Sequence, residues 1–371
     1  MKTQNRYNSI LAGLFFLATV AGFAQQETKT FQLSLVYPVG TNGQNSGEII
    51  NDFSLNLFAG YSGGVNKLEI GGFYNITKGY VKGVQLGGFG NGVGGKVDGV
   101  QIAGFSNINK GNVEGVQLAG FLNKSKGSVS GAQVAGFSNL SDLNTGIQFA
   151  GFTNHSKGSS GLQLAGFSNI SGDVKGTQAA GAINVARRLD GAQVGIINIA
   201  DSISSGAQVG LINISKKNGF ISLGLESDDF MPVRLAFRSG MDYFYTVLVA
   251  GAHPDEEYWS VGAGFGSRLF LSDTRKVFVN PEARWEYINA GSISDSDFSH
   301  LTKLNINFGY QLQKHLYLTA GPSVNYYVTD DLDVNGQPNI ELTSNQTINR
   351  LNNNKRHQLW VGYNVGVGFK F

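Results

Sequence analysis

The chain has 371 residues, a formal net charge of +2, no cysteine, 6 prolines and 52 glycines. Without cysteine there can be no disulfide or thiolate metal site, and so small and dispersed a charge gives no electrostatic case for nucleic acid. Glycine is at about double its usual share of roughly 7%, but scarce proline and the lack of a three-residue period exclude a disordered linker and collagen.

Residues 1–24 read as a secretory signal peptide. Lys2 and Arg6 make a positive start, 10–23 is almost wholly apolar, and Gly22 and Ala24 are the small residues of a cleavage site before Gln25. The apolar run is too short to cross a bilayer of roughly 30 Å as a helix, and no later segment reaches about 18 apolar residues. Any crossing must then be made by a closed barrel, the other structure that satisfies its backbone in lipid. Residues 25–66 read as an N-terminal β segment.

Residues 67–218 form a repeat array. Gly83, Gly99, Gly115, Gly131, Gly146, Gly161, Gly176, Gly191 and Gly206 open successive units, first 16 and then 15 residues apart. A glutamine follows two residues later in each, including Gln101, Gln117 and Gln133, and an asparagine closes each run, including Asn107, Asn123 and Asn139. A degenerate unit with Glu69 at the Gln position and Asn75 precedes them. The core Gly-x-Gln-Φ-Ala-Gly-Phe-x-Asn alternates: Val100, Ile102 and Gly104 on one face, Gln101, Ala103, Phe105 and Asn107 on the other. Each unit therefore predicts one strand of about nine residues and a tight return at stretches such as Asn109-Lys110-Gly111. Two arrangements fit. In a β-solenoid, like residues stack and Gln and Asn form hydrogen-bonded ladders. In a meander, the units are extra strands of one larger barrel. The fixed Gln and Asn positions favour the solenoid, as does the thin polarity of the Val100 face for a wall in lipid.

Residues 219–371 change texture: the repeat code stops and aromatics rise. Eight strands are expected, at 220–226, 232–239, 242–252, 258–271, 277–288, 301–313, 315–328 and 358–371. Short links near Gly240, Asp273 and Lys314 alternate with longer ones at 253–257, 290–300 and 329–357, the habit of an outer-membrane barrel. In the last strand Leu359, Val361, Tyr363, Val365, Val367, Phe369 and Phe371 make an unbroken apolar face, opposite Trp360, Gly362, Asn364, Gly366, Gly368 and Lys370. A buried strand of a soluble sandwich is the competing reading of that pattern.

Two resemblances bear on location. Asn364, Gly366, Phe369 and Phe371 resemble the C-terminal signal of outer-membrane proteins, which implies insertion by the barrel-assembly machinery. The units Gly191–Asn198 and Gly206–Asn213 resemble a family of bacterial surface-repeat proteins of spirochaetes and Bacteroidetes-type bacteria, built from Gly-x-Gln-Φ-Gly-Φ-Φ-Asn units. That resemblance covers roughly 67–218 and implies a place at the cell envelope; it carries no implication about activity.

Chemistry is sparse. The five histidines, His155, His253, His300, His315 and His357, fall in no metal motif, and no Gly-x-Ser-x-Gly elbow occurs. Gly90-Asn91-Gly92-Val93-Gly94-Gly95 matches a dinucleotide fingerprint but lacks the following helix. Asp331, Asp333 and Asn335, before Gly336, resemble the start of a calcium loop, but the acid falls one place early, at Glu341. Asn123, Asn139, Asn154 and Asn169 begin Asn-x-Ser/Thr triplets, for which a structural ladder is the better explanation. The expectation is an all-β protein, a repeat array followed by an eight-stranded transmembrane barrel, with no enzyme activity, cofactor or nucleic-acid partner. Its role would be structural or interactive in the outer membrane, in contact with lipid; a transport pore enlarged by the repeats is the alternative. With eight strands, the array would lie on the periplasmic side.

Overall fold

Like residues stack on like along the repeats. In a computed structural model, which describes residues 26–290 and 299–371, the expected signal peptide at 1–24 lies outside the described part. Successive units pair in parallel, one whole unit apart: Gln85 opposite Gln101, Gln101 opposite Gln117, Asn91 opposite Asn107. Parallel pairing makes each unit a coil of a β-solenoid and excludes the meander, whose successive strands would be antiparallel.

Each coil carries two strands rather than the single one expected. Val97–Ala103 and Ser106–Asn109 meet at a corner formed by Gly104 and Phe105. The corner shifts the alternation by one. Gln101, Ala103 and Asn107 share one face as expected, the inner one, but Phe105 joins Ile102 and Gly104 on the outside. Gly104 is required there because a Cβ would stand 2.1 Å from the carbonyl oxygen of Gly88. Gly99, which opens the unit, has φ +144° and the same crowding: its Cβ would lie 1.9 Å from the oxygen of Gly83.

Two compact units divide between Ala119 and Gly120. In the first, Thr28–Val36 pairs in parallel with Ile50–Ser62, which pairs with Gly64–Gly71 and Tyr74–Thr77. The N-terminal β segment is thus the opening of the array. In the second, coils run from Leu122–Ser125 to Ile212–Ser215. Their spacing is uneven in sequence but not in register. A bulge between Leu189 and Asp190 absorbs one residue, which lets Asn184 meet Asn198 while Gln193 meets Gln208.

The second unit also holds the barrel. Its wall is β1 (Phe220–Asp228), β2 (Val233–Met241), β3 (Phe244–His253), β4 (Tyr258–Gly266), β5 (Val277–Asn289), β6 (Ser299–Gln311), β7 (Leu316–Thr329) and β8 (Lys355–Lys370). Neighbours are antiparallel, and β1 pairs with β8 from Ser222–Lys370 to Asp228–Asn364, closing an eight-stranded barrel. The expected strand 258–271 is interrupted: Leu269–Phe270 pairs separately with β5 after the chain turns Arg268 inward. Ile348–Asn352 forms a hairpin with β8 inside the longest link. Of the link at 290–300, residues 291–298 lie outside the described part.

Candidate functional site

Two polar interiors carry the distinctive chemistry. The first is the inside of the coils, where the repeated Gln and Asn side chains are fully buried. In the first unit, Gln101 Nε2 donates to Gln85 Oε1 at 2.7 Å and Gln117 Nε2 to Gln101 Oε1 at 2.8 Å. The Asn row runs in the opposite sense: Asn75 donates to Asn91 at 3.0 Å and Asn91 to Asn107 at 2.9 Å. The second unit repeats both ladders, from Gln148 on Gln133 at 2.7 Å to Gln208 on Gln193 at 2.8 Å, and from Asn123 on Asn139 at 3.0 Å to Asn198 on Asn213 at 2.9 Å. Each Asn amide also donates to a backbone carbonyl, as Asn107 does to Leu118 at 2.9 Å. A buried amide left unbonded costs about 1–3 kcal/mol, so a register slip, which unpairs a whole row, is strongly disfavoured.

The rows end in specific groups. At the N-terminal side Glu69 takes the Gln position and its carboxylate accepts from Gln85 at 2.7 Å, Thr77 at 3.0 Å and Ser62 at 3.3 Å. Burial pushes its carboxyl above the usual range, against the lowering effect of those donors. Gln32, Asn42 and Asn51 then close the interior, with Asn42 donating to Gln32 at 2.7 Å. At the C-terminal side Asn213 donates to Thr246 of β3 at 2.8 Å, and Met241 of β2 packs with Leu189, Ala200 and Ile203. Ser239 and Thr246 face out of the barrel yet are buried, because the last coil covers them.

The second polar interior is that of the barrel. Glu226, Asp228, Glu282 and Glu286 face Arg234, Arg238, Arg284 and Lys303, all buried. Four acids minus four bases leaves no net charge. Arg284 Nη1 donates to Glu226 at 2.8 Å and its Nε to Glu282 at 3.0 Å; Arg238 Nε donates to Glu282 at 2.7 Å; Arg234 Nη2 donates to Glu286 at 3.1 Å. Asp228 is paired with both Arg234 and Lys303. On the loop side the network is roofed by Phe230, Met231, Tyr258, Ile340, Leu342 and Trp360. On the short-turn side, Arg268 sits between the rings of Phe220, Phe278 and Tyr317, 4.1–4.4 Å from their centroids. The wall outside is apolar: in β8, Trp360 is 1% exposed and its neighbour Val361 69%.

Sequence reasoning found the ladders and missed the ion network. Its trace was present, as charges two or four positions apart on one strand face: Glu226 and Asp228, Arg234 and Arg238, and Glu282, Arg284 and Glu286, the last three between apolar neighbours. The calcium-like residues are not gathered around a shared point. Asp333 Oδ1 accepts from the backbone of Asn335 and Gln337, both at 2.8 Å, and Asp331 accepts from Asn339 at 2.5 Å, so the carboxylates hold their own turn. Among the described residues no group of three His, Asp or Glu side chains could hold a metal. Gly90–Val93 of the dinucleotide-like motif is a coil strand, and Asn123, Asn139, Asn154 and Asn169 are buried in the ladder, out of reach of glycosylation. Asn364 faces the barrel interior beside Glu226, while Phe369 and Phe371 lie on the outer wall, and Phe371 N donates to Ile221 at 3.0 Å. In comparison with known proteins, the chain matches no family model, no curated protein and no solved structure.

Proposed function

We propose that this is an outer-membrane protein in which a filled eight-stranded barrel anchors a repeat solenoid, and that its role is structural or interactive rather than catalytic. The observation that carries this reading is the polarity of the wall. Leu304, Ile306, Phe308, Leu318, Val361 and Val365 are exposed on the outside while matched ions fill the inside, the pattern of a strand that meets lipid on one face. Water would leave that apolar band unpartnered.

The transport-pore reading loses its basis, since the repeats do not widen the barrel and eight strands leave an interior that side chains fill. Export through residues 1–24, recognition of Asn364, Gly366, Phe369 and Phe371 by the barrel-assembly machinery, and a periplasmic position for the short-turn side belong to the same proposal. So does the resemblance to surface-repeat proteins. The test is reconstitution into liposomes. A heat-modifiable, membrane-integrated protein without conductance is expected. A species that stays monodisperse in buffer without detergent overturns the anchor, and steady single-channel conductance overturns the filled barrel. Deleting Phe371 is expected to reduce the membrane-integrated fraction.

A further inference from the structure

The corner at each Phe position turns outward a set of side chains that the interior ladders do not need. In the unit from Gly120, Phe121, Phe137, Phe152 and Phe167 stack ring on ring at 4.8–4.9 Å. The row continues through Ala182 to Ile196 and Leu211. Along one side runs the residue after each Gln, among them Val134, Phe149, Val194 and Val209; along the other runs the residue after each Asn, where Leu140, Ile170, Val185 and Ile199 are interrupted by Lys124 and His155. The Phe row and the row after Gln make a contiguous apolar stripe, widened by the third row from Ile170 onward, larger than scattered surface hydrophobics account for.

Two further observations say what covers it. First, the stripe is continuous with the barrel wall. Val194, Ile196, Val209 and Leu211 share one shallow apolar cleft with Ala263 and Phe265 of β4, and Phe265 is an outward residue of that wall. Second, its flanks differ in charge. The two positions beyond the stripe after each Asn run carry Lys126, Lys157, Arg187, Arg188, Lys216 and Lys217 against Asp142, Asp173 and Asp201, six minus three, or +3. The position before each repeat Gly, on the opposite flank, carries Lys175 and Asp190, one minus one.

We infer that the solenoid stripe between Phe121 and Leu211 is immersed in the acyl-chain layer of the leaflet on the barrel's short-turn side, with its basic flank on anionic lipid headgroups. The array is then a monotopic, lipid-embedded element rather than one standing free in the aqueous compartment. Long basic side chains can lay their methylenes along the apolar surface and place their charges at headgroup level. The inference rests on the reading of the barrel as membrane-spanning.

The chain has no cysteine, so single substitutions give unique labelling sites. Full-length protein carrying an environment-sensitive fluorophore at Phe152→Cys, Phe167→Cys, Leu304→Cys on the barrel wall or Lys175→Cys on the neutral flank is reconstituted into phosphatidylcholine vesicles containing phosphatidylglycerol. Heat-modifiable mobility verifies folding of each variant. The expected result is blue-shifted emission, with quenching by acyl-chain nitroxide lipids at Phe152 and Phe167 equal to that at Leu304, and neither at Lys175. Quenching at Leu304 alone overturns the inference and leaves the barrel reading intact, whether the stripe labels meet water or another protein copy. Absence of quenching at Leu304 as well overturns the barrel reading itself. More phosphatidylglycerol should increase quenching at Phe167, and a Lys157→Gln, Arg187→Gln, Lys216→Gln background should abolish that increase. Quenching indifferent to phosphatidylglycerol in the parent protein overturns the headgroup contact.

Discussion

In the coils the buried polar groups are neutral amides, each bonded to its own counterpart one turn away; in the barrel they are ions, each bonded to an opposite charge on a different strand. Both regions hold polarity inside and expose apolar groups, and the difference between them follows from symmetry. In a parallel stack each repeated side chain of the interior meets its own kind at about 4.8 Å. A charge placed there would meet a like charge, whereas a primary amide is donor and acceptor at once and can bond to itself along the whole row. Closure of the barrel brings unlike residues of non-adjacent strands together across the interior, so Glu226 of β1 can meet Arg284 of β5 and Asp228 of β1 can meet Lys303 of β6. Glu69 fits the same rule: it stands where the Gln row ends, with amide and hydroxyl donors around it and no carboxylate beside it.

Disturbing the ion network of the barrel is expected to have the largest effect. Arg284→Met leaves Glu226 and Glu282 short of a cation and is expected to cost about 3–5 kcal/mol, the range for stripping one partner from a buried ion pair. It should be read as a lowered denaturant midpoint for barrel unfolding in detergent. In the coils, Gln163→Leu removes the acceptor of Gln178 and of Ser171 and the donor to Gln148. A loss of about 1–3 kcal/mol for each amide left without a partner is expected. Hydrogen exchange should locate the loss in the coils between Gln148 and Gln178 and leave the barrel amides unchanged; a uniform effect would contradict separate polar interiors.

Acidity sharpens the contrast at the array's opening. Because the carboxyl of Glu69 is raised by burial, its protonated form is the one the fold favours. Its contribution is fully present below the unfolded value near 4.5 and is lost as pH rises through the higher folded value. Exchange protection of Gly64–Gly71 should therefore fall as pH rises through that interval, after correction for the intrinsic rate, and Glu69→Gln should flatten the dependence. The smallest effect is expected on the surface, where Lys157 pairs with a half-exposed Asp142 at 3.0 Å. Lys157→Ala should change coil stability by under about 1 kcal/mol, and added salt should erase the difference.

How much of this was legible differs by region. The Gln and Asn rows could be read directly, since a polar residue recurring at a fixed place on a strand period has few structural meanings. The eight barrel strands followed from alternation and from the unequal links. The corner at Gly104 and Phe105 did not, because a one-residue phase shift is invisible while Gly and Phe are assigned to alternate faces. Stacking of like on like already implied a row of Phe89, Phe105, Phe121, Phe137, Phe152 and Phe167; the misassignment hid that this row faces outward, and with it the apolar stripe. The ion network was also hidden, since a lone charge on a strand does not say which face is the interior.

The sequence by itself determined the period and the identity of the ladder groups, because these depend on residues one repeat apart along the chain; it favoured parallel stacking, which the pairing of successive coils then decided. Tertiary structure alone decided which charges pair across the barrel, as with Glu226 and Arg284, separated by 58 positions. It also decided that the last coil would finish its Asn row on Thr246 of the barrel wall. Those contacts depend on closure of the barrel and on the seating of the coil against it, and no local pattern encodes either.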